Sequence, residues 1–191
     1  MMKKGLALVL ATMMAFTPVL VSAEAAKEEA KEEVAEAVEE TVDEAGEMMD
    51  LKAAEMEELI KDEELKGDYV EFDGYKIWIP EEMTKDEPGE DDPYSITYSS
   101  EDFALQAVMV KKAFESIDKL EEALAADGYD YDPIKVNGMD GFIYIDKEND
   151  LLYVDLVDGE NDVEVRFTPV SDEDLFAVAI MLTGTVQKAD K

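Results

Sequence analysis

The chain of 191 residues contains no cysteine and no histidine. Without cysteine there is no disulfide framework, no lipobox for lipid anchoring and no thiol redox chemistry. Without histidine the Ser-His-Asp and Cys-His nucleophilic arrangements are excluded, and with both residues missing so are the ordinary zinc ligand sets. Bases are scarce as well: 17 Lys and Arg face 50 Asp and Glu. Arg166 is the one arginine and Trp78 the one tryptophan. Beyond residue 21 no apolar run reaches the length of a membrane span. The chemistry that remains belongs to carboxylate, lysine, tyrosine and serine side chains.

What is present begins with an export pattern. Met1-Met2-Lys3-Lys4 is a short positive stretch, Gly5 to Val21 is an apolar run broken by Pro18, and Val21-Ser22-Ala23 places small residues before a cleavage point. The pattern predicts a signal peptide over residues 1–23 and a mature chain starting at Glu24, secreted or free in an extracytoplasmic compartment. Lys3 and Lys4 leave with the signal, so the remainder carries 15 bases against 50 acids, a net charge of −35. Such a field repels phosphate backbones and anionic lipid, and it attracts basic proteins, cationic peptides and divalent cations. The expected partner is an unknown protein or a cationic ligand. Nucleic acid and direct membrane insertion are not expected, and the chain is expected to be a monomer.

Residues 24–66 are Ala, Glu and Lys with a few Val, Met and Leu, and hold 18 acids, five lysines and no aromatic residue or proline. That composition favours helix. A narrow apolar stripe runs through Ala30, Val34, Val38, Val42 and Ala45, then Met49, Met56, Leu59 and Ile60, with Gly46 interrupting it. Pairs such as Glu28 with Lys31 support a helix, while the many Glu–Glu neighbours at the same spacing oppose it. The segment is expected to be an exposed helical or disordered stalk, with a coiled coil as the alternative.

At Gly67-Asp68 the character changes to short aromatic and β-branched runs separated by turn residues, and residues 67–191 read as one folded domain of about 120 residues. Tyr69–Asp73 and Tyr75–Ile79 form a hairpin across Asp73-Gly74, Glu81–Pro93 is a loop, and Tyr94–Ser99 and Phe103–Lys112 are further strands. Ser116 caps an amphipathic helix to Asp127 that ends at Gly128. Strands follow at Ile134–Val136, Gly141–Asp146, Leu151–Val157 and Val163–Thr168, the first pair turning at Asn137-Gly138. A last helix runs from Ser171-Asp172-Glu173 to about Val186. Strands, helix, strands, helix is the order of an α+β domain, an antiparallel sheet of about six to eight strands packed by two helices.

This order, and several residues within it, resemble the PsbP-like fold shared by the extrinsic PsbP subunit of photosystem II, nuclear Ran-release factors and periplasmic DcrB-like proteins. The residues that carry the resemblance are Tyr75-Lys76-Ile77-Trp78-Ile79-Pro80, the helix Ser116–Asp127 leading to Val136-Asn137-Gly138 and Gly141-Phe142, and Val165-Arg166-Phe167-Thr168-Pro169 before Ser171-Asp172-Glu173. It spans Tyr69 to about Lys188. The resemblance implies a fold and a binding or adaptor role in loose terms, and no catalytic set or cofactor.

Candidate sites are sparse. Asp146, Glu148 and Asp150 alternate, as do Asp158, Glu160 and Asp162, and each set offers oxygens to a cation such as calcium. An EF-hand loop requires Gly at its sixth position, where Leu151 and Val163 stand, so solvated hairpin turns are the better account. The Glu87–Asp92 loop has the same standing. Arg166 can clamp an anion, and its expected role is to pair with Glu164 or Asp155 across the sheet. Trp78 between Ile77 and Ile79 is expected in the core rather than as a sugar platform. Acids are abundant enough that a carboxylate-pair hydrolase carries no specific signature. The expected function is an exported, non-enzymatic binding or interaction module. A protein binding divalent cations or cationic ligands is the alternative, and a carboxylate-based hydrolase a more distant one.

Overall fold

The computed structural model describes residues 48–87, 93–111, 113–159 and 161–189. The expected signal, the acidic segment as far as Glu47 and most of the acidic loop at 88–92 lie outside these residues.

The chain is α+β. The elements run β1 (Met49–Leu51), α1 (Ala53–Asp62), β2 (Gly67–Phe72), β3 (Tyr75–Pro80), β4 (Thr84–Lys85), β5 (Ile96–Ser99) and β6 (Ala104–Lys111). Then come α2 (Ile117–Asp127), β7 (Tyr131–Val136), β8 (Met139–Asp146), β9 (Leu151–Asp158), β10 (Asn161–Thr168), α3 (Glu173–Gly184) and β11 (Gln187–Lys188). Eight strands form one sheet in the order β1-β7-β8-β9-β10-β6-β5-β4, and β11-β3-β2 form a second. All neighbours are antiparallel except β1, which pairs with β7 in parallel.

Alternation in the central strands decides which face each residue takes. In β9 and β10, Leu152, Val154, Leu156, Val163, Val165 and Phe167 are fully buried. They share one core with Leu105 and Ala107 of β6, Ile77 and Ile79 of β3, and Val178, Ala179 and Leu182 of α3. Helix α3 is buried nearly all round, as its apolar sequence requires, and Asp172 caps it by accepting from the Asp174 and Leu175 amides at 3.1 and 3.4 Å. Trp78 lies in this core, 5% exposed, with its amide donating to Thr185 Oγ1.

Both expected hairpin turns form, with positive φ at each central residue: Asp73 and Gly74 at 49° and 89°, Asn137 and Gly138 at 50° and 85°. Helix α2 ends on Gly128 in the left-handed conformation, but Ser116 at its start makes no side-chain cap hydrogen bond. Part of the expected loop, Thr84–Lys85, pairs with β5, and the extended stretch expected from Tyr94 becomes strand only at Ile96.

The stalk reading needs correction where the chain is described. Residues from Met49 to Asp62 are part of the folded unit, which therefore begins before Gly67. Leu51, Met56 and Ile60 are buried in the main core, and α1 packs on α3. The approach is close: a Cβ added at Gly184 would stand 2.6 Å from Met56 Cγ and 3.4 Å from Leu51 Cβ, so glycine permits the crossing. Lys52, at the N-cap of α1, supplies no side-chain cap. The cap arrives from 84 residues away, where Asn137 Oδ1 accepts from the Ala53 amide at 2.6 Å.

Candidate functional site: the outer face of the large sheet

The residues of β8, β9, β10 and β6 that alternate with the core point to the opposite face of the sheet. Helix α2 covers one end of that face, where Leu120 and Leu124 pack on Phe142 and Tyr144, with Tyr131, Tyr153 and Val157 around them. Beside α2 lies a polar and aromatic strip. Register places Glu164 opposite Asp155 and Val108, and Arg166 opposite Tyr153 and Gln106. Tyr94, just before β5, reaches over β10: the Arg166 guanidinium lies 4.5 Å from its ring centre, and its hydroxyl donates to Glu164 Oε1 at 2.5 Å. Arg166 also donates through Nη2 to Gln106 Oε1. Tyr144 and Tyr153 stack at 5.1 Å, and the Tyr129 ring lies tilted 4.8 Å from Tyr144.

Two tyrosine–carboxylate pairs thus stand side by side, for Tyr144 donates to Asp155 Oδ2 at 2.8 Å. Burial, reinforced by the neighbouring Glu164 and Asp162 charges and offset in part by the Tyr144 hydrogen bond, pushes the Asp155 carboxyl up to about 7. Burial and the adjacent carboxylates also push the Tyr144 and Tyr94 phenols upward, so both remain protonated donors. On the same side of β10, Arg166 Nε and Asp162 Oδ1 are buried atoms without a hydrogen-bond partner. The strip combines donors, acceptors and ring faces on rigid strands, the equipment of a recognition surface for a polar, charged group.

The acids singled out from sequence go to separate places. Asp146 folds its own turn, accepting from Asn149 Nδ2 at 2.6 Å and from the amides of Glu148 and Asn149, and these bonds hold it below the usual carboxylate range. Asp150 ties β9 to the start of α3 through the Val170 and Ser171 amides and the Ser171 hydroxyl, and is likewise held low. Glu148 is exposed. Asp158 accepts from Tyr75 OH at 2.8 Å and pairs with Lys188 at 2.9 Å. Asp162, 8% exposed, accepts from the Phe114 amide at 2.8 Å. Glu160 lies outside the described residues. Among the described residues no three acids converge as metal ligands.

Arg166 departs from the expected carboxylate pairing. Its hydrogen bond goes to Gln106 and its flat face to Tyr94, because Tyr94 engages Glu164 itself. From sequence, Asp155 and Glu164 are expected only as partners for Arg166, and nothing there joins Tyr94, Tyr144, Tyr153 and Gln106 into one surface. The alternation Tyr153-Asp155-Val157 against Leu152-Val154-Leu156 was the available signal. The register that brings the strip together was not.

No family model matches the chain, and no curated protein matches it. Among solved structures it is similar to cyanobacterial PsbP (CyanoP) from Synechocystis sp. PCC 6803, in solution, with a TM-score of 0.47 and 10% identity over 65% of this chain and 92% of that one.

Proposed function

We propose that the protein is an exported, non-enzymatic binding module that uses the outer face of its large sheet, beside α2, to hold a cationic side chain or small cationic ligand. The carrying observation is the Tyr94–Glu164 and Tyr144–Asp155 strip: oriented carboxylates flanked by tyrosine rings, in a chain of net charge −33. The surrounding field draws cations in, and the strip provides a place where ring faces and carboxylates act together. A binding role also suits the engagement of each carboxylate, since both are already hydrogen-bonded to a phenol. Export is supported by the N-terminal pattern, and no helix of the described residues is long and apolar enough to cross a membrane.

The test is calorimetric titration with spermine and with a Lys-rich peptide at fixed ionic strength, using the full mature chain, Tyr153→Ala and Glu164→Gln. The reading expects saturable binding that either substitution weakens about tenfold. Binding that depends on salt alone and ignores both substitutions would leave only a diffuse electrostatic attraction, and the proposal would be lost.

A further inference from the structure

Asp155 and Glu164 stand directly opposite each other on antiparallel β9 and β10, on the same face of the sheet. Facing side chains in such a pair lie about 5 Å apart, and like charges there repel. Both residues are only partly exposed, so water screens the pair incompletely. From β8 comes the Tyr144 hydroxyl, and from β9 itself Tyr153. From β10 come Asp162, a third acid, and Arg166, whose guanidinium is engaged by Gln106 and Tyr94. Before β5 there is Tyr94, and after α2 there is Tyr129. Helix α2 presents Leu120 and Leu124 toward this side, while its Lys119 pairs with Glu122 and its Glu121 accepts from Tyr131. Among the described residues the one cation in the strip, Arg166, is thus held by a neutral amide and a ring, two residues along the strand from Glu164.

We infer that Asp155, held directly across the strands from Glu164 and enclosed by the Tyr144 phenol, is a proton-uptake site, and that gain and loss of its proton make the outer face a pH-responsive element. The two phenols fix this arrangement, for Tyr144 donates to one oxygen of Asp155 and Tyr94 to one oxygen of Glu164, so the two acids are held facing each other. Tyr144 also belongs to the cluster beneath Leu120 and Leu124, so a change in charge at Asp155 acts on the side chain on which α2 sits. The inference does not depend on any ligand.

The sign follows from linkage. Asp155 titrates at about 7 in the folded chain and, like any aspartate, near 4 when unfolded. The folded chain therefore holds a proton that the unfolded chain releases, and this group's stabilising effect is complete below about pH 4 and lost as pH rises through about 7. Within that window each pH unit lowers the folding constant by up to about tenfold.

Carboxyl-carbon NMR titration of the full mature chain reads Asp155 directly, and urea unfolding at several pH values reads the consequence. The expected result is an Asp155 midpoint near neutrality that falls by a unit or more in Glu164→Gln. Asp155→Asn is expected to be about as stable as the parent at low pH and to gain on it steadily as pH rises to 8. The remaining acids are common to both chains, so the difference isolates Asp155. A midpoint below about 5, or the parent's pH slope persisting in Asp155→Asn, overturns the inference. Should Asp155→Asn fail to fold, the midpoint in the parent and its response to Glu164→Gln decide the matter.

Discussion

Replacing Asn137 by glycine probes the junction on which the N-terminal part of the fold depends. Asn137 sits at φ 50° in the β7–β8 turn, a conformation that glycine adopts without strain, so the turn itself survives. What is lost is the side chain. Its Oδ1 caps α1 through the Ala53 amide at 2.6 Å, and its Nδ2 donates to the carbonyls of Gly184 at 3.0 Å and Val186 at 2.7 Å. One residue thus joins β1–α1, the end of α3 and the start of β11. Each bond contributes about 1 kcal/mol net, and the helix cap is of similar worth. The added chain entropy of glycine costs up to about 1 kcal/mol more. The expected loss is about 3–4 kcal/mol, read as a lower urea midpoint with an unchanged slope and a fall in Tm on the order of 10 °C. Hydrogen exchange in α1 is expected to accelerate with it. A loss under about 1 kcal/mol would refute the reasoning, showing that water replaces the amide at this junction. Asn137→Asp supplies a control: it keeps the acceptor for Ala53 but puts a carboxylate against two carbonyls, so it should do no better than glycine at pH 7.

Other consequences follow from the same packing. A chain starting at Gly67 lacks Leu51, Met56 and Ile60, whose burial contributes about 5–9 kcal/mol together, an amount comparable with the whole stability of a domain. Circular dichroism should show that chain unfolded or melting far below one that starts at Met48, and equal melting would refute the place given to α1. Gly184→Ala forces a methyl group into Met56, so it should destabilise by about 1–3 kcal/mol, and Met56→Ala in the same chain should return part of the loss. Independent, additive losses from the two substitutions would contradict the close crossing of α1 and α3.

The hairpin turns were legible because Asp73-Gly74 and Asn137-Gly138 encode positive φ locally, in the residue types themselves. Helices α2 and α3 were legible from helical spacing and from Gly128 and Asp172 at their ends. Helix α1 was legible as helix but not as part of the core, for a physical reason. Its Glu-rich composition matches that of the acidic run before it, and Met56 becomes a core residue because α3 offers Gly184 as a surface to pack on. Strand β1 carries no alternation long enough to read, and its parallel partner β7 lies more than 80 residues away in the chain.

The outer-face strip shows the same division between local and non-local information. That β9 would carry Tyr153 and Asp155 away from the core was written in its alternation. That Asp155 would meet Glu164, that Tyr94 would take Glu164 and leave Arg166 to Gln106, and that Asp146, Asp150, Asp158 and Asp162 would disperse to separate structural tasks was not. Composition determined the strong negative charge and the absence of thiol and imidazole chemistry, and local periodicity and element order determined the α+β class, because these depend only on which residues are present and on their spacing along the chain. The tertiary structure alone decided which acids became neighbours and which became ties, because register and packing, not spacing along the chain, set the distance between them.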